Sequence, residues 1–127
     1  ACDRMRGAGL DVYCATIHDI PVLQDTIDVI IAKDYLEHTW TPFDDLKKMY
    51  SLLKPGGVLH VETFHIACRK FDELGSNWKM LGFNHVYHFS PESLSKLILN
   101  SGFDIIDQDF DYEKILIKIN ARKRKGL

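Results

Sequence analysis

The chain's 127 residues fit one domain that can bury roughly 65 to 70% of its unfolded surface, and no stretch nears the about 18 apolar residues of a membrane span or forms the apolar core of a signal peptide. With 16 Lys plus Arg against 18 Asp plus Glu and a net charge of -2, nothing in the charge recommends nucleic acid or an anionic membrane as a partner. Cys2, Cys14 and Cys68 are odd in number and form no CxxC pair, which argues against a disulfide framework or a zinc knuckle and for a reduced, cytoplasmic setting.

"ACDRMRGAG" reads as the last turns of a helix closed by Gly7 or Gly9. "LDVYCAT", Leu10 to Thr16, is a candidate strand. "IDVIIAKD", Ile27 to Asp34, is apolar almost without interruption through Ala32, the pattern of a central strand covered on both faces. Thr41 can then cap a helix with Pro42 in its first position and Asp44 and Asp45 in its positive first turn. Phe43, Leu46, Tyr50 and Leu53 share one face of that helix. Pro55 stops it, Gly56 and Gly57 supply the turn, and "VLHVETF", Val58 to Phe64, is a second interior strand.

The stretch from Phe64 to Phe89 is too long for an ordinary connection and reads as a lid or substrate-binding segment within the single domain. Ser90 caps a further helix with Pro91 at its first position and Glu92 behind it; Leu94, Leu97 and Ile98 face inward and Gly102 closes it. "FDIIDQDF" from Phe103 and "KILIKINAR" from Lys114 are separated only by Asp111, Tyr112 and Glu113, too short a link for a parallel crossover, so they pair as an antiparallel hairpin. The basic run "ARKRKG", Ala121 to Gly126, reads as a solvated tail. This order predicts an α/β fold: a Rossmann-like three-layer sandwich with a mostly parallel sheet ending in an antiparallel hairpin. A flavodoxin-like or receiver-type domain would want parallel strands throughout, which the hairpin contradicts.

Four segments together resemble the C-terminal two thirds of a class I S-adenosylmethionine-dependent methyltransferase. "GLDVYCATIHDIP" is similar to that family's third strand and the acid-containing loop after it, "IDVIIAKDYLEH" to the fourth strand and its exit, and "LLKPGGVLHVET" to the fifth-strand signature. "NWKMLGFNHVYHFSPESLSKLILNSGF", Asn77 to Phe103, resembles the Trp, His-x-x-His-Phe-Ser and Ser-Gly-Phe pattern of a bacterial branch grouped with ubiquinone- and glycan-modifying enzymes. Lys-Pro-Gly-Gly alone is only a helix stop and a turn; the order and separation of the four segments carry the resemblance.

Ligands of open α/β sheets bind beyond the carboxyl ends of the strands, so useful residues should follow Thr16 and Ala32. The resemblance implies S-adenosylmethionine as cofactor. It sets Thr16 and Ile17 against the adenine, Thr16 where many members have an Asp that accepts from the adenine amino group, and Ala32, Lys33 and Asp34 beside the methionine half. His18 belongs to the same cofactor-side loop, although His18 and Asp19 equally suit a solvated loop with Asp19 capping a turn. His38, His65 and His88 are the catalytic candidates, because an imidazole suits a general base on an acceptor hydroxyl near neutral pH; each also fits a hydrogen-bonded structural role. Tyr87 and Trp78 are the substrate-side candidates, with packing the competing role for Trp78 and Met80.

If helical, Asp34, Glu37 and His38 would share a face at i, i+3 and i+4. D-x-x-E-H resembles the E-x-x-E-H metal motif of ubiquinone-pathway O-methyltransferases with Asp in place of the first Glu. A helix start beside the site is the preferred reading and no metal is assigned; His85 and His88 lack a third ligand at fixed spacing.

The implied reaction transfers the sulfonium methyl group to a small-molecule or glycan acceptor. "RGAGLD", Arg6 to Asp11, precedes a strand instead of following it and reads as a helix stop, so the family's glycine loop and second-strand acid are expected upstream of Ala1. The Ile27 strand would then have its open edge covered by the Leu10 strand, by another chain in a homo-oligomer, or not stably at all. A rival reading is a catalytically inactive interaction module completed by another chain. All of this expects the segments at Leu10, Ile27 and Val58 to run side by side in one direction.

Overall fold

The computed structural model describes residues 1–82 and 84–125; Phe83 of the long connecting stretch and Gly126 of the basic run lie outside the described residues. Its elements are α1 (Cys2–Gly7), β1 (Ile27–Lys33), α2 (Pro42–Leu52), β2 (Leu53–Phe64), α3 (Arg69–Leu74), α4 (Pro91–Asn100), β3 (Phe103–Asp109) and β4 (Leu116–Lys123).

The sheet follows from two β-branched runs and a hairpin. β1 pairs with β2 in parallel, Ile30 opposite Leu59 and Ala32 opposite Val61. β4 pairs antiparallel with β2 and with β3, giving the order β1-β2-β4-β3. β1, β2 and β3 therefore share one direction and β4, the last strand in the chain and the second arm of the expected antiparallel hairpin, opposes them from inside the sheet. The hairpin is too short to cross over, and its second arm is the more apolar: Ile117, Ile119 and Ala121 are fully buried, which draws β4 to the centre.

Period-2 alternation puts Ala32, Leu59, Val61, Phe103, Ile117, Ile119 and Ala121 on one face. Leu46 and Met49 of α2 and Leu94 and Ile98 of α4 close over them. The buried face of α2 is Pro42, Asp45, Leu46, Met49 and Leu52; Phe43, expected inward, is exposed beneath the Lys47 ammonium, and Tyr50 is half-buried edge-on against Phe103. Ser90 caps α4 reciprocally with Ser93, each side chain bonding the other's backbone N–H.

Several expectations are corrected. Leu10 to Thr16 is not a strand. It lies exposed with no ladder partner among the described residues, its chain held instead by Arg6, whose guanidinium donates to the Val12 carbonyl; an extended segment without a neighbour leaves its backbone to solvent. β1 is an edge strand and not a central one, with Val29 55% and Ile31 69% exposed on the face turned away from the helices. The basic run is no tail through Lys123: Ala121 to Lys123 complete β4, and the Lys123 ammonium reaches Asp25 and the Leu53 carbonyl. Cys2 and Cys14 are joined in a disulfide, brought within a Cα separation of 6.3 Å because the chain doubles back at Gly9; Cys68 alone is a free, buried thiol.

Lys-Pro-Gly-Gly is not a turn ahead of the strand: α2 ends at Leu52, β2 starts at Leu53, and these residues form an irregularity inside β2 between the Ile27–Leu53 and Val29–Val58 pairs, set by close approach. Gly56 has φ +83°, and a Cβ on Gly57 would stand 2.9 Å from the Lys54 carbonyl and 3.1 Å from that of Asp28. Both obstacles are backbone, the second belonging to β1. Gly57→Ala is therefore expected to lower unfolding free energy by about 2 kcal/mol, against about 1 kcal/mol for Gly56→Ala, as read by urea denaturation; equal or negligible losses would refute the packing account.

Candidate functional site

β1 and β2 end side by side. Asp34, the first residue beyond β1, adopts φ +51° while its N–H donates to the Glu62 carbonyl of β2 at 2.9 Å. This left-handed residue turns the chain sharply out of the sheet, so that residues 35–41 cross above the N-terminus of α2. They face residues 15–20 across an open cleft of about 570 Å³ lined by Thr16, Ile17, His18, Ile20, Tyr35, His38 and Trp40.

Both walls are tied to one carboxylate. Asp45, in the first turn of α2 and 2% exposed, accepts from Tyr35 Oη (2.7 Å), Thr39 Oγ1 (2.7 Å), Thr41 Oγ1 (2.8 Å) and His18 Nε2 (2.7 Å). Four donors share two oxygens, which exhausts their lone pairs. Burial by itself would raise the Asp45 carboxyl, but the hydrogen bonds from Tyr35, Thr39, His18 and Thr41 outweigh it and hold the group below its ordinary range. The Tyr35 phenol is pushed far up, first by burial and then by its bond to this carboxylate. Thr41 caps α2 in an unexpected way: its hydroxyl turns to Asp45 and not to a backbone N–H.

The 64–89 stretch folds on a small core of its own, Phe64, Cys68 and Trp78, joined by Phe71 and Met80. It docks on the cleft's outer wall by main-chain bonds: Val86 N–H (2.7 Å) and Tyr87 N–H (3.3 Å) donate to the Glu37 carbonyl, and His38 Nδ1–H donates to the Asn84 carbonyl at 2.7 Å. The Tyr87 phenol donates to the Trp40 carbonyl at 3.3 Å.

The residues singled out from sequence are brought together only in part. Thr16, Ile17, His18 and His38 line the cleft; the Thr16 hydroxyl donates to Asp19 at 3.1 Å. Ala32 is packed in the core, while Lys33 and Asp34 stand exposed at the end of β1. His65 is fully buried, its Nε2–H donating to the Lys114 carbonyl at 2.7 Å, and His88 lies edge-on to Phe64; neither lines the cleft. Trp78 is buried edge-on against Phe64, whereas Tyr87 is exposed at the rim.

D-x-x-E-H is a turn and not a helix, with His38 N–H donating to the Tyr35 carbonyl. Glu37 is buried; Thr63 donates to its Oε2, and its Oε1 has no partner, 4.0 Å from His38 Nε2. No three His, Cys, Asp or Glu side chains converge as metal ligands among the described residues. Asp45, Tyr35, Thr39 and Trp40 escaped the sequence reading. An acid in a first helical turn is ordinary dipole complement, and the donors that give Asp45 its role come from as far away as His18.

The cleft lies beyond the carboxyl end of β1, the side on which open α/β sheets hold their ligands. The chain belongs to the class I S-adenosylmethionine-dependent methyltransferases: the family described as "Methyltransferase domain" matches residues 4–108. Among its relatives, a ubiquinone biosynthesis O-methyltransferase of Cereibacter sphaeroides is 27% identical over 109 residues, covering 80% of this chain and 44% of the relative. One of the same name from Parvibaculum lavamentivorans is 33% identical over 60 residues, 47% of this chain and 24% of the relative. The chain thus spans less than half the length of these relatives. An S-adenosylmethionine-dependent methyltransferase of Thermotoga maritima shares the fold with a TM-score of 0.80 at 19% identity, over 97% of this chain and 69% of that one. No helix among the described residues is long and apolar enough to cross a membrane.

Asp45→Asn is expected to cost about 3 kcal/mol of stability at pH 7, since it removes the charge that four donors surround. The carboxyl lies below its ordinary value of 3.8 when folded, so its contribution is complete above that value and is lost as pH falls through the folded-state value. Unfolding curves of the two proteins should keep their separation from pH 7 to about pH 4 and converge only in stronger acid; convergence already near pH 6 would rule out this role.

Proposed function

We propose that the cleft beside β1 and β2 binds S-adenosylmethionine and that the chain takes part in methyl transfer to a hydroxyl of an uncharged small molecule or sugar. The observation that carries this reading is the cleft at the exit of β1, the strand parallel to β2, at which His38 holds a ring nitrogen not engaged by the Asn84 carbonyl. The residues present suit the cofactor: Ile17 and Ile20 offer an apolar wall to a flat purine, and the exposed Asp34 carboxylate at the end of β1 suits an ammonium group. When bound, S-adenosylmethionine supplies a methyl group on an already reactive sulfonium.

The chain's contribution is orientation, exclusion of water and one proton. Well-oriented reactants gain roughly 7 to 11 kcal/mol. His38 Nδ1–H is committed to the Asn84 carbonyl, which leaves Nε2 as the acceptor for a hydroxyl proton. The 64–89 stretch, docked on Glu37 and Trp40, shields that side. The names of the relatives support oxygen as the atom methylated.

Calorimetric titration with S-adenosylhomocysteine is expected to show micromolar affinity, and an absence of heat would end the cofactor reading. His38→Gln should leave that affinity within about twofold and lower methyl transfer about 100-fold; unchanged transfer would remove His38 from the role of base.

The open edge of β1, with Val29 and Ile31 exposed, favours a second reading in which a strand of another chain pairs there. Light scattering should then show an oligomer that Ile31→Lys disrupts, and a monomer at all concentrations excludes pairing between copies.

A further inference from the structure

We propose that the Cys2–Cys14 disulfide is a reversible redox modification site, opened by a dithiol reductant, that governs the order of residues 1–16; its effect on the cleft rests on the cleft being the cofactor site. The bond closes a ring across a sequence separation of 12 residues. Little else holds that ring. α1 has six residues and none of them is buried, and so short a helix does not persist in water by its own hydrogen bonds. Among the described residues, none before Ile17 joins either apolar core. What remains is a set of exposed bonds inside the ring, from the Arg6 guanidinium to the Val12 carbonyl at 3.2 and 3.3 Å and from the Leu10 N–H to the Met5 carbonyl at 3.2 Å, each worth little against water. Order in this segment therefore depends on the covalent link, which acts by removing open conformations.

Access and selectivity follow from burial. Cys14 is exposed and Cys2 half-buried, so a thiolate reaches the bond without unfolding the chain, whereas Cys68 is fully buried with its thiol donating to the His65 carbonyl at 3.3 Å. One thiolate of the dithiol attacks the more exposed sulfur, Cys14 Sγ; the bond to Cys2 Sγ breaks, and Cys2 leaves as a thiolate and takes up a proton. The second thiol of the reductant then displaces Cys14 from the mixed disulfide. Two electrons and two protons pass to the protein, which ends with two thiols, and the reductant ends as a disulfide. The consequence reaches the cleft because Ala15 and Thr16 line it immediately after Cys14. Their far side is pinned by Ile17 on the core and by His18 on Asp45; their near side is steadied by the closed ring.

Thiol counting on the folded chain, before and after dithiothreitol, tests this. The air-oxidised chain is expected to show no reactive thiol and the reduced chain two, with Cys68 still silent. Trypsin should then cut after Arg4 and Arg6 at least about tenfold faster, and S-adenosylhomocysteine should bind about fivefold more weakly by calorimetry. Cys2→Ser, which cannot close the ring, should match the reduced chain in cleavage and affinity without any reductant, while reoxidation restores the parent alone. The inference is overturned by two reactive thiols in the air-oxidised chain, by a count that dithiothreitol leaves at zero, by a count of three, which reports global unfolding, by cleavage that ignores the redox state, or by equal measurable affinity in the two forms. Failure of both forms to bind S-adenosylhomocysteine, beside a count of two and faster cleavage, would count against the cofactor reading and uphold the redox site.

Discussion

The cleft exists because one carboxylate is surrounded. Residues 15–20 and 35–41 belong to loops with little regular hydrogen bonding of their own, and neither contributes a strand to the sheet. Asp45 draws a donor from the first wall, His18, and three from the second, Tyr35, Thr39 and Thr41. A buried carboxylate without partners would carry a desolvation cost of several kcal/mol; with four donors it becomes the point that fixes the spacing of the two walls. α2 in turn holds Asp45, through Leu46 and Met49 packed on the sheet. The chain of dependence runs from core to helix to carboxylate to cleft.

The irregular entry of β2 at Lys54–Gly57 supplies the other constraint. α2 must end and β2 begin within a few residues if β2 is to lie beside β1, and Gly57 sits where the Lys54 and Asp28 carbonyls leave no room for a side chain. Register follows from this entry: Val29 meets Val58, and the alternation that buries Ala32 also buries Leu59 and Val61. The same register sets Lys33 opposite Glu62, so that the Asp34 N–H donates to the Glu62 carbonyl where β1 ends.

Local chemistry was legible where the partners are close in sequence. Pro42, the Ser90–Ser93 box, the Lys-Pro-Gly-Gly stop after α2 and the three-residue gap before β4 announce their elements, because capping, φ restriction and loop length act over a few residues. What failed depended on partners far away. The apolar run from Ile27 to Ala32 reads as a strand covered on both faces and flanked on both sides, but β1 is an edge strand whose Val29 and Ile31 face is exposed. Leu10 to Thr16 has strand composition but no strand beside it among the described residues, and β-propensity is mostly a statement about neighbours. Asp45 reads as an ordinary first-turn acid until His18 is seen 2.7 Å away. The Cys2–Cys14 pairing depends on a reversal at Gly9 that spacing alone does not reveal.

The polar groups around the cleft also bear on turnover. Asp45 has no acceptor capacity left, His18 Nε2 and His38 Nδ1 are committed as donors, and the Tyr35 and Thr39 hydroxyls point at Asp45. What remains on the His38 side is acceptor capacity: His38 Nε2, with Glu37 Oε1 behind it without a donor. Such a surface selects ligands that bring a hydrogen, a hydroxyl over an ether or a carbonyl. O-methylation removes that hydrogen. On the O-methylation reading proposed above, a product ether would meet His38 Nε2 with nothing to donate and carry a methyl group where the hydroxyl hydrogen stood. Release on that reading is built into the same tautomer of His38 that makes it a base.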